Sequence, residues 1–509
     1  MALTSITFVL FLCIVCAVSY ATPAKVRYIW LLACSYLFYL YSAGGTLQNL
    51  PALLLMLLAT AVSYACALFM QRFKKLWVKR IFLAVSLLCS LGLLFACKYF
   101  NFFLSGIEAL AAIFGGTGQL QPLNLILPLG ISYYTLQAVG YSIDVYTEAL
   151  PAERNPLRYA LFVSFFPSLV TGPINRAGEM LPQYKNPGAF NYSHISGGFF
   201  RVLWGLFKKM VIADTIGVYT ASVLSTPSAF TGPHLLLAAL LFSYQLYADF
   251  GGCCDIAIGA ARMLGFRFAE NFNRPFAAKT YQALWQRWHI SLTSFLRDYV
   301  FTALVWSRWT EKLPFVGKKV KKPPTFSSVI IIFAISGLWH GASLNYLIWG
   351  LLNGCIMAVA GKYGKKKEKL VAKIPVYRAK HLRGFVQRIL VYLMFTGCLV
   401  FFASSLFSFS VGALWQGLFG GWAALFENFG NFTTVLGLYG LGTKQLAVIA
   451  AGIVLVELVE KFAVTATTNV ADWVRSRYFF VRWPLYYLLI AALLLFGIFG
   501  QSPFIYQQY

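Results

Sequence analysis

Long apolar runs separated by short basic segments recur along this 509-residue chain. Hydrophobic residues make up 59% of the sequence and charged residues only 11%, whereas soluble domains usually carry about 25% charged residues. An apolar run of about 20 residues can cross the hydrocarbon core of a bilayer as a helix. The sequence therefore predicts an all-α, multi-pass integral membrane protein, built as one integrated membrane domain.

The basic residues give the chain a formal net charge of +26. In a soluble protein this excess would indicate a nucleic-acid partner, but here the charges cluster in short segments between apolar runs. Such segments are typical of cytosolic loops that face an anionic lipid leaflet. We therefore expect membrane lipid, and no nucleic acid, as a partner. The ten cysteines show no metal-ligand spacing and are expected to pack as small apolar side chains.

The N-terminal part, residues 1–100, is expected to contain the first transmembrane helices. Lys25 and Arg27 follow the first apolar run rather than precede it, which favours a membrane helix over a cleaved signal peptide. Further apolar runs occupy 28–43, 48–70 and 81–97, and a turn at 42–45 joins the first two of them. We expect the last run to end at Lys98.

The region from about 102 to 280 has short apolar pieces interrupted by Gly, Pro and isolated polar residues. Broken backbone at membrane depth is tolerated only where protein or a water-filled cavity satisfies its polar groups. We therefore expect re-entrant, cavity-lining segments here, within a central part that spans residues 101–361.

Two acidic residues stand at the end of an apolar run at 235–250. Asp249 lies within this run and Asp255 follows it. Acidic groups in or beside a membrane span are costly and are functional by default. The structural alternative, which we prefer, is a helix-end cap, or pairing with Arg262 or Arg267.

A polar segment at 266–298 is expected to lie at the interface or to line a funnel. Basic stretches at 312–322 and 362–388 then flank a largely apolar segment. Because both flanks are expected in the cytosol, the segment between them must cross the membrane an even number of times. The hinge falls at 340–343, which predicts a helical hairpin with His340 at its tip.

The C-terminal part, 362–509, adds apolar runs at 389–409, 411–426, 444–462 and 483–500. This gives roughly eleven to thirteen membrane or re-entrant segments in all.

Two of the five histidines, His289 and His340, each follow a tryptophan and lie in apolar surroundings. A neutral imidazole is suited to take a proton from a hydroxyl or thiol near neutral pH. A structural hydrogen-bonding role is the alternative for each ring. A metal site is not expected, because no third ligand stands at a telling spacing. His194, His234 and His381 are expected to be solvated.

The chain resembles the membrane-bound O-acyltransferase family, and within it a bacterial branch that acetylates alginate. The matching stretches are Lys98-Tyr99-Phe100-Asn101-Phe102, Leu127-Pro128-Leu129-Gly130-Ile131-Ser132, Asp249-Phe250-Gly251-Gly252, Glu270-Asn271-Phe272-Asn273-Arg274-Pro275, Arg287-Trp288-His289-Ile290-Ser291-Leu292, Gly337-Leu338-Trp339-His340-Gly341-Ala342 and the terminal Pro503-Phe504-Ile505-Tyr506. The resemblance implies a helical bundle around a central funnel.

The resemblance also implies the site residues. It makes His340 and His289 the catalytic pair, with His340 as general base. The residues expected to line the funnel or orient the substrate are Trp339, Trp288, Arg287, Arg297, Asp298, Asn273, Asp249 and Asp255.

The function implied by the resemblance is movement of an acetyl group from a cytosolic thioester donor, acetyl-CoA or an acylated carrier protein, to an extracytoplasmic polysaccharide. No permanently bound cofactor is expected. A separate extracytoplasmic acetyltransferase is an expected partner, and the bacterial cytoplasmic membrane is the expected location. D-alanyl transfer to teichoic acids, a non-catalytic acyl-group transporter and an assembly scaffold remain as alternatives.

Overall fold

A computed structural model describes residues 1–42, 49–115, 120–306, 325–371, 380–463 and 470–500. Within these ranges the chain is helical and contains no β-strand, so the all-α prediction is confirmed. The predicted basic loop at 312–322, the terminal motif at 503–506 and most of the turn at 42–45 lie outside the described residues.

The helices of the first half are mostly short between residues 131 and 225, where the sequence predicts broken segments. They are α1 (Ile6–Ala21), α2 (Arg27–Tyr41), α3 (Leu50–Arg72), α4 (Leu76–Leu94), α5 (Phe100–Ile113), α6 (Ile131–Tyr146), α7 (Pro156–Ser164), α8 (Phe166–Leu169), α9 (Ala177–Lys185), α10 (Tyr192–Leu206), α11 (Asp214–Ser225) and α12 (Gly232–Met263). π-Helical stretches, Phe95–Tyr99 and Phe207–Ala213, join α4 to α5 and α10 to α11.

The helices of the second half are α13 (Tyr281–Trp285), α14 (Ile290–Phe295), α15 (Thr302–Trp306), α16 (Thr325–His340), α17 (Leu344–Val371), α18 (Lys380–Phe407), α19 (Val411–Leu418), α20 (Trp422–Glu427), α21 (Phe429–Leu438), α22 (Thr443–Ala463), α23 (Val470–Arg475) and α24 (Phe479–Phe496). A further π-helical stretch, Leu296–Phe301, joins α14 to α15. The apolar run predicted at 411–426 is thus two short helices with a glycine turn between them.

Six helices in the described part of the chain are long and apolar enough to cross a membrane. They are Leu50–Arg72, Leu76–Ile113, Gly232–Met263, Leu344–Lys362, His381–Phe407 and Phe479–Phe496, and two shorter apolar helices are Ile6–Ala21 and Phe326–His340. The protein is therefore a multi-pass membrane protein. Length and composition do not identify re-entrant segments, so the count of eleven to thirteen and the funnel stay predictions.

The predicted end of the fourth span at Lys98 is wrong. Helices α4 and α5 form one continuous helix of 38 residues, Leu76–Ile113, with Lys98 in its π-helical stretch. No glycine or proline interrupts residues 93–105. The side chain of Asn101 exchanges two hydrogen bonds of 2.9 Å with the backbone of Leu123. The polar side chain of Asn101 is therefore satisfied by a residue outside the helix, and the helix continues past it.

The chain forms two compact units. The first contains Met1–Phe199 and Ile256–Ala269, and the second contains Phe200–Asp255 and Glu270–Tyr509. In the first unit Gly130 begins α6 with a φ of 73°, a left-handed conformation that glycine adopts without steric cost. A Cβ at this position would collide with the carbonyl of Leu169. The interruption of the apolar run before α6 is therefore a turn in which Gly130 is required for both its conformation and the lack of a side chain.

In the second unit, α16 and α17 form the helical hairpin that the sequence predicts. His340 is the last residue of α16, and α17 begins at Leu344. The two backbones touch through glycines: a Cβ on Gly350 would meet the carbonyl of Phe333, and one on Gly354 would meet Ile330. Small residues four positions apart permit this close approach between membrane helices. The hairpin prediction is confirmed, although the sequence analysis did not use this glycine pair.

We expect the substitution Gly350→Ala to destabilise the hairpin, because the added methyl group collides with backbone that cannot rotate away. Overpacking of this kind costs about 1–3 kcal/mol, so the melting temperature of the detergent-purified protein should fall. The matched control is Gly397→Ala on α18, where a Cβ meets nothing within 4 Å. Equal melting temperatures for the two variants would contradict the packing described here.

Candidate active site

His340 lies in a shell of aromatic rings at the tip of the α16–α17 hairpin. Its ring centroid lies 5.0 Å from those of Trp339 and Trp349, and 5.4 Å from that of Phe402 on α18. The side chain is 5% exposed. The turn is held to α18 by a hydrogen bond of 2.8 Å between the hydroxyls of Ser343 and Ser405. The hairpin therefore buries His340 while its own turn is tied down.

His289 lies between α13 and α14 in a left-handed conformation, with φ 44° and ψ 54°. This conformation costs a non-glycine residue about 1–2 kcal/mol and is found most often at functional sites. The side chain is buried, and its ring contacts Phe250 on α12 at 4.7 Å and Trp339 on α16 at 5.8 Å. His289 is thus placed where three elements meet.

The hydrogen bonds around His289 determine its tautomer. Nδ1 lies 3.1 Å from Oδ1 of Asn271, and this oxygen also accepts from the backbone N–H of Ser291 at 3.2 Å. A backbone N–H can only donate, so the atom facing both groups is the amide oxygen. Nδ1 of His289 therefore carries the proton. Nε2 keeps the lone pair and has no hydrogen-bond partner among the described residues.

Burial also determines the charge of His289, which lies outside the candidate membrane spans. Removal from water disfavours the imidazolium ion. This lowers the pKa of His289 to about 3. The ring is therefore neutral at physiological pH, and its Nε2 can accept a hydrogen bond.

The two histidines line one cavity of about 50 Å³ in the second unit. The volume is room for roughly three to five water molecules, at about 10–15 Å³ for each. Trp288, one of the predicted site residues, lines it as well. The complete lining is Trp285, Trp288, His289, Leu292, Thr293, Leu296, Ile332, Phe333, Ser336 and His340. Two imidazoles thus line one space that is otherwise mainly apolar.

Other predicted site residues lie around this cavity rather than in its lining. Asn273 and Arg287 are half-buried, and the backbone N–H of Asn273 donates to the carbonyl of Arg287 at 3.0 Å. Arg297 and Asp298 are exposed and form an ion pair with each other at 2.8 Å. Trp339 contacts both histidine rings. Among these residues, only Trp288 and Trp339 directly surround the histidines.

Asp249 and Asp255 lie in the interior of α12, and the helix continues past both to Met263. Asp255 pairs with Arg201 at 2.6 Å and with Lys208 at 2.9 Å, and Asp249 pairs with Lys209 at 2.7 Å. All five side chains are buried. The expected helix-end cap and pairing with Arg262 or Arg267 are therefore wrong. Cations reaching in from a neighbouring segment allow the helix to continue.

This ionic cluster includes two more buried acids that the sequence analysis did not select. Lys208 also lies 3.3 Å from Glu460, which accepts a hydrogen bond of 2.6 Å from the hydroxyl of Tyr247. Lys209 also pairs with Asp214 at 2.6 Å. The available signal was the presence of charges inside apolar runs, because a charge at membrane depth needs a partner.

Of the remaining histidines, His234 differs from its predicted solvated state. It is 5% exposed, and its Nδ1 lies 3.1 Å from the hydroxyl of Tyr219. Its ring packs 4.4 Å from that of Phe432. An aromatic surrounding on α21 and a tyrosine partner on α11 make burial favourable. His194 is half-buried and His381 is exposed.

The described residues include no group of three His, Cys, Asp or Glu side chains that could hold a metal ion.

The helices define a multi-pass membrane protein, and two buried histidines line one of its cavities. Residues 31–406 match the membrane-bound O-acyltransferase family, and the chain belongs to this family. It is 33% identical over 383 residues to a peptidoglycan O-acetyltransferase of Helicobacter pylori, covering 70% of this chain and 68% of the relative. It is 36% identical over 280 residues to a probable alginate O-acetylase of Pseudomonas syringae, covering 54% of this chain and 50% of the relative.

A third relative is named for a different activity. The chain is 31% identical over 255 residues to a teichoic acid D-alanyltransferase of Bacillus subtilis, covering 49% of this chain and 62% of the relative. The matches thus span between about half and two thirds of the length of these three relatives.

The ionic cluster makes a stability prediction. The substitution Asp255→Asn leaves two buried cations short of a counter-charge, and breaking a buried pair costs about 3–5 kcal/mol. We expect a clearly lower melting temperature in detergent. The control is Glu148→Gln, which removes an exposed carboxylate paired with Lys79 and should leave the melting temperature near that of the wild type. A wild-type value for Asp255→Asn would show that the pair does not stabilise the fold.

Proposed function

We propose that this protein is an O-acetyltransferase that moves acetyl from a cytosolic thioester donor towards hydroxyls of a polysaccharide outside the membrane. The observation that carries this proposal is the meeting of two buried histidines, His289 and His340, in one apolar cavity. Membership of an O-acyltransferase family supports the reaction class. The activities for which relatives at 33% and 36% identity are named favour acetyl as the group and polysaccharide as the acceptor.

In the proposed reaction His340 is the general base. Its imidazole takes the proton of an acceptor hydroxyl as the oxygen attacks the carbonyl carbon of the thioester. The tetrahedral intermediate then collapses, the C–S bond breaks, and the thiolate leaves and takes the proton from the His340 imidazolium. The products are an oxygen ester and a free thiol. The acceptor is a sugar hydroxyl or a serine of a partner protein that completes the transfer.

His289 orients the acceptor in this scheme. Its Nε2 carries a lone pair, as the tautomer requires, and can accept a hydrogen bond from the incoming hydroxyl. The rings of Trp285, Trp288 and Phe333 line the same cavity. They would keep competing water away from the thioester, which water could otherwise hydrolyse.

The donor and the partner follow from the same proposal. Acetyl-CoA and acylated carrier proteins are anionic, and basic cytosolic loops raise the local concentration of an anionic donor. The donor is a substrate, so no permanently bound cofactor is required. A separate extracytoplasmic acetyltransferase would receive the acetyl group, and the bacterial cytoplasmic membrane is the proposed location.

D-alanyl transfer to teichoic acid is the second candidate, because a teichoic acid D-alanyltransferase matches about half of the chain. The family resemblance implies that such proteins are shorter at the C-terminal end, so the further helices α19–α24, which begin at residue 411, favour the O-acetyltransferase. A transporter of acyl groups is a third candidate, since broken helices also suit a transport path. The substitution His340→Gln distinguishes the two: a transporter would keep its activity, whereas an acyltransferase that uses His340 as its general base would lose it.

The decisive test is the acetate that alkali releases from surface polysaccharide. Cells would carry the wild type, His340→Ala, His381→Ala or an empty vector, with membrane abundance matched by blot. Loss of the base should lower bound acetate by about 10²–10⁴-fold, while the exposed His381 serves as the matched histidine control. Full acetylation by His340→Ala would contradict the proposed base. If the wild type adds no acetate, ester-linked D-alanine would be measured on the same cells.

A further inference from the structure

Resting on the proposed function, we propose that Asn271 is the positioning residue of the acyl-transfer site. It holds His289 in the tautomer and orientation that present Nε2 to the cavity. Asn271 is fully buried and does not line the cavity. Its effect on the reaction therefore passes through His289.

The carboxamide of Asn271 is held from three sides. Its Oδ1 accepts from Nδ1 of His289 at 3.1 Å and from the N–H and hydroxyl of Ser291 at 3.2 and 2.9 Å. Its Nδ2 donates to Sγ of Cys254 on α12 at 3.2 Å. A flipped amide would turn its NH₂ group towards the backbone N–H of Ser291, which can only donate, and would break that contact. The amide therefore has one satisfied orientation, and it requires a proton on Nδ1 of His289.

The backbone of Asn271 also supports the conformation of His289. The carbonyl of Asn271 accepts from the N–H of Ile290 at 2.9 Å, the residue directly after His289. Hydrogen bonds from Asn271 thus reach residues 289, 290 and 291. Together they hold the strained left-handed conformation at His289, which by itself is unfavourable for a residue with a Cβ.

The segment that carries Asn271 is anchored by the ionic cluster. Its neighbour Glu270 accepts two hydrogen bonds from Arg201, at 3.1 and 2.6 Å. Arg201 in turn donates to the buried Asp255 at 2.6 Å. A guanidinium with both partners fixed leaves little freedom at Glu270. The cluster therefore acts on the site through the position of one residue, Asn271.

The experiment measures the acyl-transfer rate of wild-type protein, Asn271→Ala and Asn271→Asp in membranes at matched abundance, from about pH 6 to about pH 8. For Asn271→Ala we expect a rate lowered about 10- to 100-fold, similar to the loss when a metal-bound histidine loses its orienting partner. The Michaelis constant for the donor should stay unchanged, because Asn271 does not line the cavity.

Asn271→Asp is the variant that separates positioning from structural support. It keeps the shape and the acceptor oxygen, but it places a carboxylate against Nδ1–H of His289. That charge favours the imidazolium, so protonation should occupy Nε2 as the pH falls. The other titratable groups on elements packed around His289 include Cys253, Cys254, Asp249 and Asp255 on α12 and His340 on α16. The two carboxylates of α12 are paired with Arg201, Lys208 and Lys209. We expect activity near that of the wild type at about pH 8 and a selective loss at about pH 6.

The matched control is Ser243→Ala, which removes a buried hydrogen bond of 2.7 Å to Thr396, outside the lining of the histidine cavity. It should keep the wild-type pH profile. A wild-type pH profile for Asn271→Asp, or an unchanged rate for Asn271→Ala, would overturn the inference. A purely structural role would lower the abundance or melting temperature of the variants and leave the profile in place.

A second measurement keeps this inference separate from the proposed function. The five histidines would be labelled with nitrogen-15, and the signals of His289 would be assigned by their loss in His289→Gln. We expect a protonated Nδ1 and an unprotonated Nε2 that depend on Asn271. The opposite tautomer would overturn the inference. If the expected tautomer is found but the wild type transfers no acyl group, the positioning stands and the proposed function fails.

Discussion

The pairing of buried charges between α12 and the segment from Arg201 to Asp214 is the constraint on which the second unit depends. Two carboxylates lie in the interior of a 32-residue apolar helix, where an unpaired charge would cost several kcal/mol. Arg201, Lys208 and Lys209 supply the counter-charges at 2.6–2.9 Å. These distances leave little freedom, so the pairs fix the rotation of both segments about their axes. The same contacts explain why α12 does not end at its first acidic residue.

The histidine site builds on this arrangement. Arg201 extends from Asp255 to Glu270 and so ties down the loop that carries Asn271, which in turn bonds to His289. His340 reaches the cavity by a separate route, at the end of a hairpin whose two helices touch at glycines. Rings from α17 and α18 then bury it. Ionic pairing therefore positions one histidine and close helix packing positions the other.

A mainly apolar cavity suits the chemistry of acyl transfer. Burial keeps His289 neutral at physiological pH, so its Nε2 can accept a hydrogen bond from an acceptor hydroxyl, while the proton is proposed to go to His340. A small mainly apolar space also favours a hydroxyl held by two imidazoles over loosely bound water. Charged groups are held in the ionic cluster instead, where each has a partner. The protein thus separates the charges that stabilise its fold from the neutral groups proposed to do its chemistry.

The sequence by itself determined the class of protein and the hairpin, and it singled out the two histidines as candidate site residues. Composition and hydrophobic runs are local properties, basic flanks set the crossing parity, and titratable rings in apolar surroundings are rare enough to stand out. It did not determine that the fourth span continues past Lys98, that α12 continues past Asp255 or that His234 is buried. Nor did it reveal Asn271 as the partner of His289. These outcomes depend on contacts between residues far apart in the chain, such as Arg201 with Asp255, 54 positions away, and Lys208 with Glu460, 252 positions away. A local pattern shows that a buried charge needs a partner, but only the tertiary structure decides which residue comes close enough to provide it.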